Sequence, residues 1–158
     1  MVDDQLKIEE FKINWTEIVE RVKILHGLIT LAVILMTVFL ISGVFLFGRL
    51  TTEGFSWYLL LIPVVFACLT FNYQANQMTM EAVAGYARSV YSGWDKYYGS
   101  HKQRYQLTSF LKVLPLLLPL LIPFFVAPEI LSLQILRWVD LALLALVIFN
   151  FRYKLSRP

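Results

Sequence analysis

From Ile24 to Gly48 the chain runs 25 residues without an Asp, Glu, Lys or Arg. A helix rises 1.5 Å per residue, so this run can cross a hydrocarbon core of about 30 Å with some tilt. A helix that is apolar all round must be buried, in a large core or in a bilayer. Residues 54–80 again carry no formal charge, and Phe55–Phe71 is their strongly apolar part. Trp57 and Tyr58 stand at the mouth of this second run, where amphipathic rings favour a membrane interface. The two runs are joined by the short polar stretch Gly48–Gly54, a length that suits antiparallel helices.

A third apolar run, Val113–Pro128, has 16 residues and contains Pro115, Pro119, Pro123 and Pro128. As a helix it spans only about 24 Å, unless Phe110, Leu111 and a snorkelling Lys112 are added. Its first three prolines share nearly one face, and each removes an amide donor, so a bend is expected. A re-entrant hairpin is the alternative. The fourth run, Leu131–Phe151, holds Arg137 and Asp140 near its start.

The expected fold is therefore all-α: a polytopic membrane protein of four transmembrane helices in a single membrane domain, 1–158. The spans are placed at 24–48, 55–72, 113–128 and 131–151. Residues 1–23 are expected as a cytoplasmic amphipathic helix, 73–112 as a cytoplasmic helical segment and 152–158 as a cytoplasmic tail. Four spans put twelve of the fourteen Lys and Arg on one side, leaving Arg49 and Arg137 near the other. Basic residues mark the cytoplasmic face, so both termini are expected there. The start is no signal peptide, because six acids outnumber four bases before the first apolar run. Composition agrees: 58% hydrophobic and 16% charged, against about 45–50% and about 25% in soluble domains. With Cys68 as the one cysteine, no internal disulfide can form.

Two cytoplasmic helices are expected to project from the first two spans. Ile8, Phe11, Trp15, Ile18, Val22 and Leu25 recur at spacings of three and four, a heptad-like seam with charge on the other face. The seam is expected to pack on the chain's own second cytoplasmic helix, with a contact between subunits as the alternative. That second helix carries Val83, Ala87, Val90, Trp94 and Tyr97 at similar spacing and should stop at Gly99. Asn72, Gln74, Asn76 and Gln77 cluster at the inner boundary, where amides must find partners in neighbouring helices or water. Arg88, Tyr91, Trp94, Lys96, Lys102, Arg104 and Tyr105 form a basic and aromatic stretch. Cations attract phosphates and rings stack on bases, so this stretch is the candidate site for a nucleotide or a short single strand. Lipid headgroups are the competing occupant, since the same residue types populate membrane interfaces.

Polar residues inside apolar runs are costly and therefore informative. Arg137 and Asp140, at i and i+3, can pair on one helix face. The alternative puts Asp140 on a wet path. A pore lining shared by the first and fourth spans would use Thr30, Thr37, Ser42, Asp140 and Asn150, with Asp140 at an outer vestibule. His26 at the inner mouth of the first span is a headgroup contact or a proton-sensitive group. No HExxH, GxSxG or Walker A pattern occurs, and His26 and His101 have no cysteine near them. The sequence is read as a non-enzyme with no metal or cofactor.

In layout, a charged amphipathic start (Lys7–Lys23), a membrane hairpin, a Tyr- and Trp-bearing cytoplasmic helix and a Leu/Pro-rich second hairpin, the chain resembles small bacterial membrane effectors of antiphage defence. The channel effectors of Hailong-type systems are the family it looks like. The resemblance is architectural and carries over no residue roles. It implies a homo-oligomeric ion pore in the inner membrane, held shut by a nucleotide or oligonucleotide ligand. The expected partners are the lipid bilayer, further copies of the chain and such a ligand. A non-conducting scaffold that recruits a cytoplasmic protein is the alternative.

Overall fold

The computed structural model describes residues 2–90, 113–126 and 129–155. The described elements are helices: α1 (Val2–Leu46), α2 (Thr52–Val90), the 3-10 helix η1 (Leu118–Phe124) and α3 (Leu131–Leu155). No strand occurs among the described residues. Three helices are long and apolar enough to cross a membrane: Glu9–Leu46, Thr52–Tyr86 and Leu131–Asn150. The amphipathic start and the first apolar run belong to one helix, and so do the second run and its polar continuation. The expected stop at Gly99 lies outside the described residues.

Gly48 closes α1. It adopts φ +80°, the left-handed conformation that glycine takes without a Cβ penalty. The amides of Arg49 and Leu50 then turn back onto the Leu46 carbonyl, at 3.0 and 3.1 Å. Thr51 starts α2: its Oγ1 accepts the Gly54 amide at 3.1 Å, and Glu53 lies in the first turn. The hydroxyl satisfies an orphan donor and the carboxylate suits the positive end of the helix dipole.

The third run is a short apolar helix, Val113–Phe124, whose second part is η1. Pro119 and Pro123 fall in η1. Each lacks the amide that an α-helix would bond, and the chain tightens into 3-10 geometry where they occur. Twelve residues in this mixture cover about 21 Å. This is less than a full bilayer core of about 30 Å.

The chain divides into two compact units. The first joins the start of α1, up to Leu28, with α2 from Tyr73 onward. Its helices run antiparallel: Arg21 Nη1 donates to Asn76 Oδ1 at 2.9 Å, and Tyr86 Oη donates to Glu10 Oε1 at 2.6 Å. Arg21 also meets Glu17 at 3.5 Å. The α2-facing line of α1 is thus Glu10, Arg21 and the buried Leu25, which lie within about 60° of one another at 100° per residue. The apolar seam shares Leu25 with this line and otherwise runs beside it. Trp15 remains 48% exposed and Val22 37% exposed, although Phe11 stacks on Trp15 at 6.4 Å. Leu25 of this seam is buried in the unit, and Trp94 and Tyr97, which the second cytoplasmic helix was expected to offer the seam, lie outside the described residues.

The second unit comprises α1 from Ile29, α2 to Asn72, η1 and α3. Its share of α1 is 18 residues and of α2 21 residues, about 27 and 32 Å of helix. α2 is central. On one side Phe39 of α1 meets Tyr58 and Phe66, with ring centroids 6.0 and 6.3 Å apart. On the other, Leu60 packs with Val126 and Leu133, flanked by Ile122 and Leu136. A polar clasp adds to the first contact. Tyr58 Oη lies 2.6 Å from Ser42 Oγ and donates to the Phe39 carbonyl at 2.5 Å. Removing the hydroxyl by Tyr58→Phe is expected to destabilise the protein by about 0.5–1.5 kcal/mol, with no change of helix content. Thermal unfolding in mild detergent followed by circular dichroism measures both.

Candidate functional site

Helix α3 contributes its inward residues at spacings four, three, four and three: the buried Leu133, Asp140, Leu144 and Val147 and the half-buried Arg137. This is a heptad seam with an Arg and an Asp inside a row of aliphatics. Leu133, Asp140 and Val147 have 1%, 0% and 0% of their surfaces exposed. The seam places Arg137 and Asp140 next to each other on the helix, yet they do not pair. Arg137 Nε donates instead to the Pro123 carbonyl at 2.9 Å. That carbonyl lies in the last turn of η1, where no amide of the described residues bonds it and a cation is favoured. The expected pairing is thereby corrected: the guanidinium is drawn to an orphan helix carbonyl.

Asp140 is left with both carboxylate oxygens buried and without a hydrogen-bond partner. An isolated polar group in such a place costs stability, and it is kept only where something other than packing requires it. Its nearest expected partner, Arg137, is occupied, and none of the described Lys, Arg or His residues bonds it. Among the described residues no three His, Cys, Asp or Glu side chains gather as a metal site.

The other candidate lining residues separate into two groups. Thr30 and Thr37 lie on the exposed side of α1, seven residues apart and so within about 20° of one helix face. Thr37 Oγ1 back-bonds to the Val33 carbonyl at 2.9 Å, which satisfies the hydroxyl without a second helix. Ser42 is turned the other way, into the clasp with Tyr58. Its Oγ also reaches the Val38 carbonyl at 2.7 Å. Asn150, half-buried, closes the apolar part of α3. The five residues are not brought together: Thr30 and Thr37 face outward from α1, Ser42 faces α2, and Asp140 is inside the second unit.

The candidate ligand stretch is only touched by the structure. Arg88 falls in the last turn of α2. Tyr91, Trp94, Lys96, Lys102, Arg104 and Tyr105 lie outside the described residues. Of the amide cluster, Asn76 accepts from Arg21, a partner in a neighbouring helix as its position required.

An apolar groove of about 600 Å³ opens between α1, α2 and η1, bounded by Phe39, Gly43, Tyr58, Ile62, Pro119 and Ile122 among others. It offers shape and almost no polar chemistry. No protein-family model, curated protein or solved structure matches the chain.

Asp140 gives the clearest energetic test. Leu has nearly the same shape as Asp and needs no hydrogen bonds. Asp140→Leu is expected to raise stability by about 1–3 kcal/mol, the penalty of the unsatisfied group. Unfolding midpoints of the two proteins in one detergent check this; a clear loss would mean that Asp140 makes a stabilising contact in the assembled protein.

Proposed function

We propose that the chain is a membrane-inserted subunit of a homo-oligomeric gated ion pore. The observation that carries this reading is the outer surface of α1. In its apolar window only 6% of residues are buried, and the two threonines Thr30 and Thr37 share the exposed side. Lipid covers such apolar surface at no cost. Thr30 and Thr37 put two polar groups on that exposed face, along which copies of the chain can meet around a wet path. One protomer encloses too little space for a channel, so conduction runs between copies, closed by cyclic symmetry. The partly exposed Trp15 and Val22 suit contacts between those copies.

With four spans, both termini lie in the cytoplasm and the membrane is the bacterial inner membrane. Control by a nucleotide or oligonucleotide held around Arg88–Tyr105 rests on the mixture of bases and aromatic rings in that stretch, as does a role in antiphage defence on the resemblance in layout. The rival reading is a non-conducting scaffold. It is favoured by the same exposed Trp15 and Val22, which a soluble cytoplasmic partner would cover.

Conduction and scaffold are separated by current. In a Cys68→Ser background, which removes the exposed native thiol, Thr37→Cys is introduced and the protein placed in a planar bilayer. A charged, water-soluble thiol reagent should cut the current of Thr37→Cys several-fold and leave the background protein unaffected. Normal current without block moves the lining away from Thr37. Absence of current in the unsubstituted protein, under every ligand tried, favours the scaffold.

A further inference from the structure

Arg137 presents a half-used guanidinium. Its Nε is held at 2.9 Å by the Pro123 carbonyl, which fixes the plane of the group. Neither Nη nitrogen is buried and none of the described side chains meets either of them. A guanidinium has two edges that can grip an oxyanion through paired N–H bonds. With Nε committed, the edge formed by the two Nη atoms remains, and it is preorganised for a planar two-oxygen acceptor. The exposed carboxylate of Glu129 does not take it up. Nor does Asp140, whose oxygens are enclosed.

The setting identifies the acceptor. Arg137 lies six residues into α3, about 9 Å from its first residue, in a helix apolar enough to span a membrane. At that depth a long side chain reaches the headgroup level by snorkelling. Trp138, the next residue, is 70% exposed. Indole rings settle at the headgroup boundary. A phosphate here neutralises a charge that would otherwise be expensive at this depth.

We propose that the Nη edge of Arg137 binds the phosphodiester of a membrane phospholipid, at the level marked by the exposed Trp138. The inference rests on the membrane reading above, though not on conduction. Two measurements keep the failures apart. Flotation of the purified protein with vesicles tests insertion alone. Lipid retention is then read by native mass spectrometry in mild detergent. Phosphatidylglycerol is compared with a sugar-headgroup diacylglycerol of the same chains, for the unsubstituted protein and for Arg137→Lys. Lysine keeps the charge and can still cap the Pro123 carbonyl, but lacks a second edge. The expected result is selective retention of the phosphate lipid, weakened about tenfold in Arg137→Lys. Failure to float overturns the membrane reading and the lipid site with it. Flotation with equal retention of both lipids, or of phosphatidylglycerol by both proteins, overturns the site alone. Competition by millimolar inorganic phosphate also overturns it, since the site would then take a free anion. Should Arg137→Lys not purify, the comparison of the two headgroups decides by itself.

Discussion

Every backbone N–H and C=O in an apolar run of more than twenty residues has to be bonded within the run or by a side chain brought to it. The long helices α1, α2 and α3 satisfy this along most of their length. The exceptions are where the structure becomes specific. At Gly48 the chain turns left-handed so that orphan carbonyls meet following amides. At Thr51 a hydroxyl supplies the acceptor for an opening amide. At the end of η1 the carbonyl of Pro123 draws in the guanidinium of Arg137. That last bond leaves Asp140, one turn away, without the partner its spacing promised.

Tertiary contacts are sparse by comparison. In the second unit α2 is buried on two sides, holding α1 through Phe39, Tyr58 and Ser42, and holding η1 and α3 through Leu60. α1 keeps most of its apolar surface outward: Leu31, Ile34, Val38, Ile41 and Phe45 are all at least two-fifths exposed. In water that surface would be an aggregation hazard. In a bilayer it is ordinary lipid contact or a face for another copy. This is why the covering of α1, more than any single residue, governs what the protein can do.

The helices were legible from the sequence because uncharged runs longer than a bilayer leave few alternatives. Their continuity was legible too: nothing breaks the chain between Trp15 and Leu46. Side-chain pairing was less so. Arg137 and Asp140 sit at a spacing that permits an ion pair, but spacing along one helix does not report competition from another element, here the Pro123 carbonyl. A signal for the burial of Asp140 was present: Leu133, Asp140 and Val147 recur at sevens, a core register with an acid in the middle. The seam from Phe11 to Val22 gave no sign of the polar contacts beside it. Glu10 and Arg21, which flank the apolar stripe, bond Tyr86 and Asn76 of α2. Polar complementarity across two helices has no periodicity to read.

The most direct test is the medium around α1. Spin labels placed singly along residues 29–46, in vesicles, report collisions with oxygen, which concentrates in lipid, and with a water-soluble nickel complex. Lipid-like values are expected at Ile34, Val38, Ile41 and Phe45, broken by nickel access at Thr30 and Thr37 once the pore is open. Uniform nickel access over the whole stretch would contradict this, because α1 would then lie in water and not in a membrane.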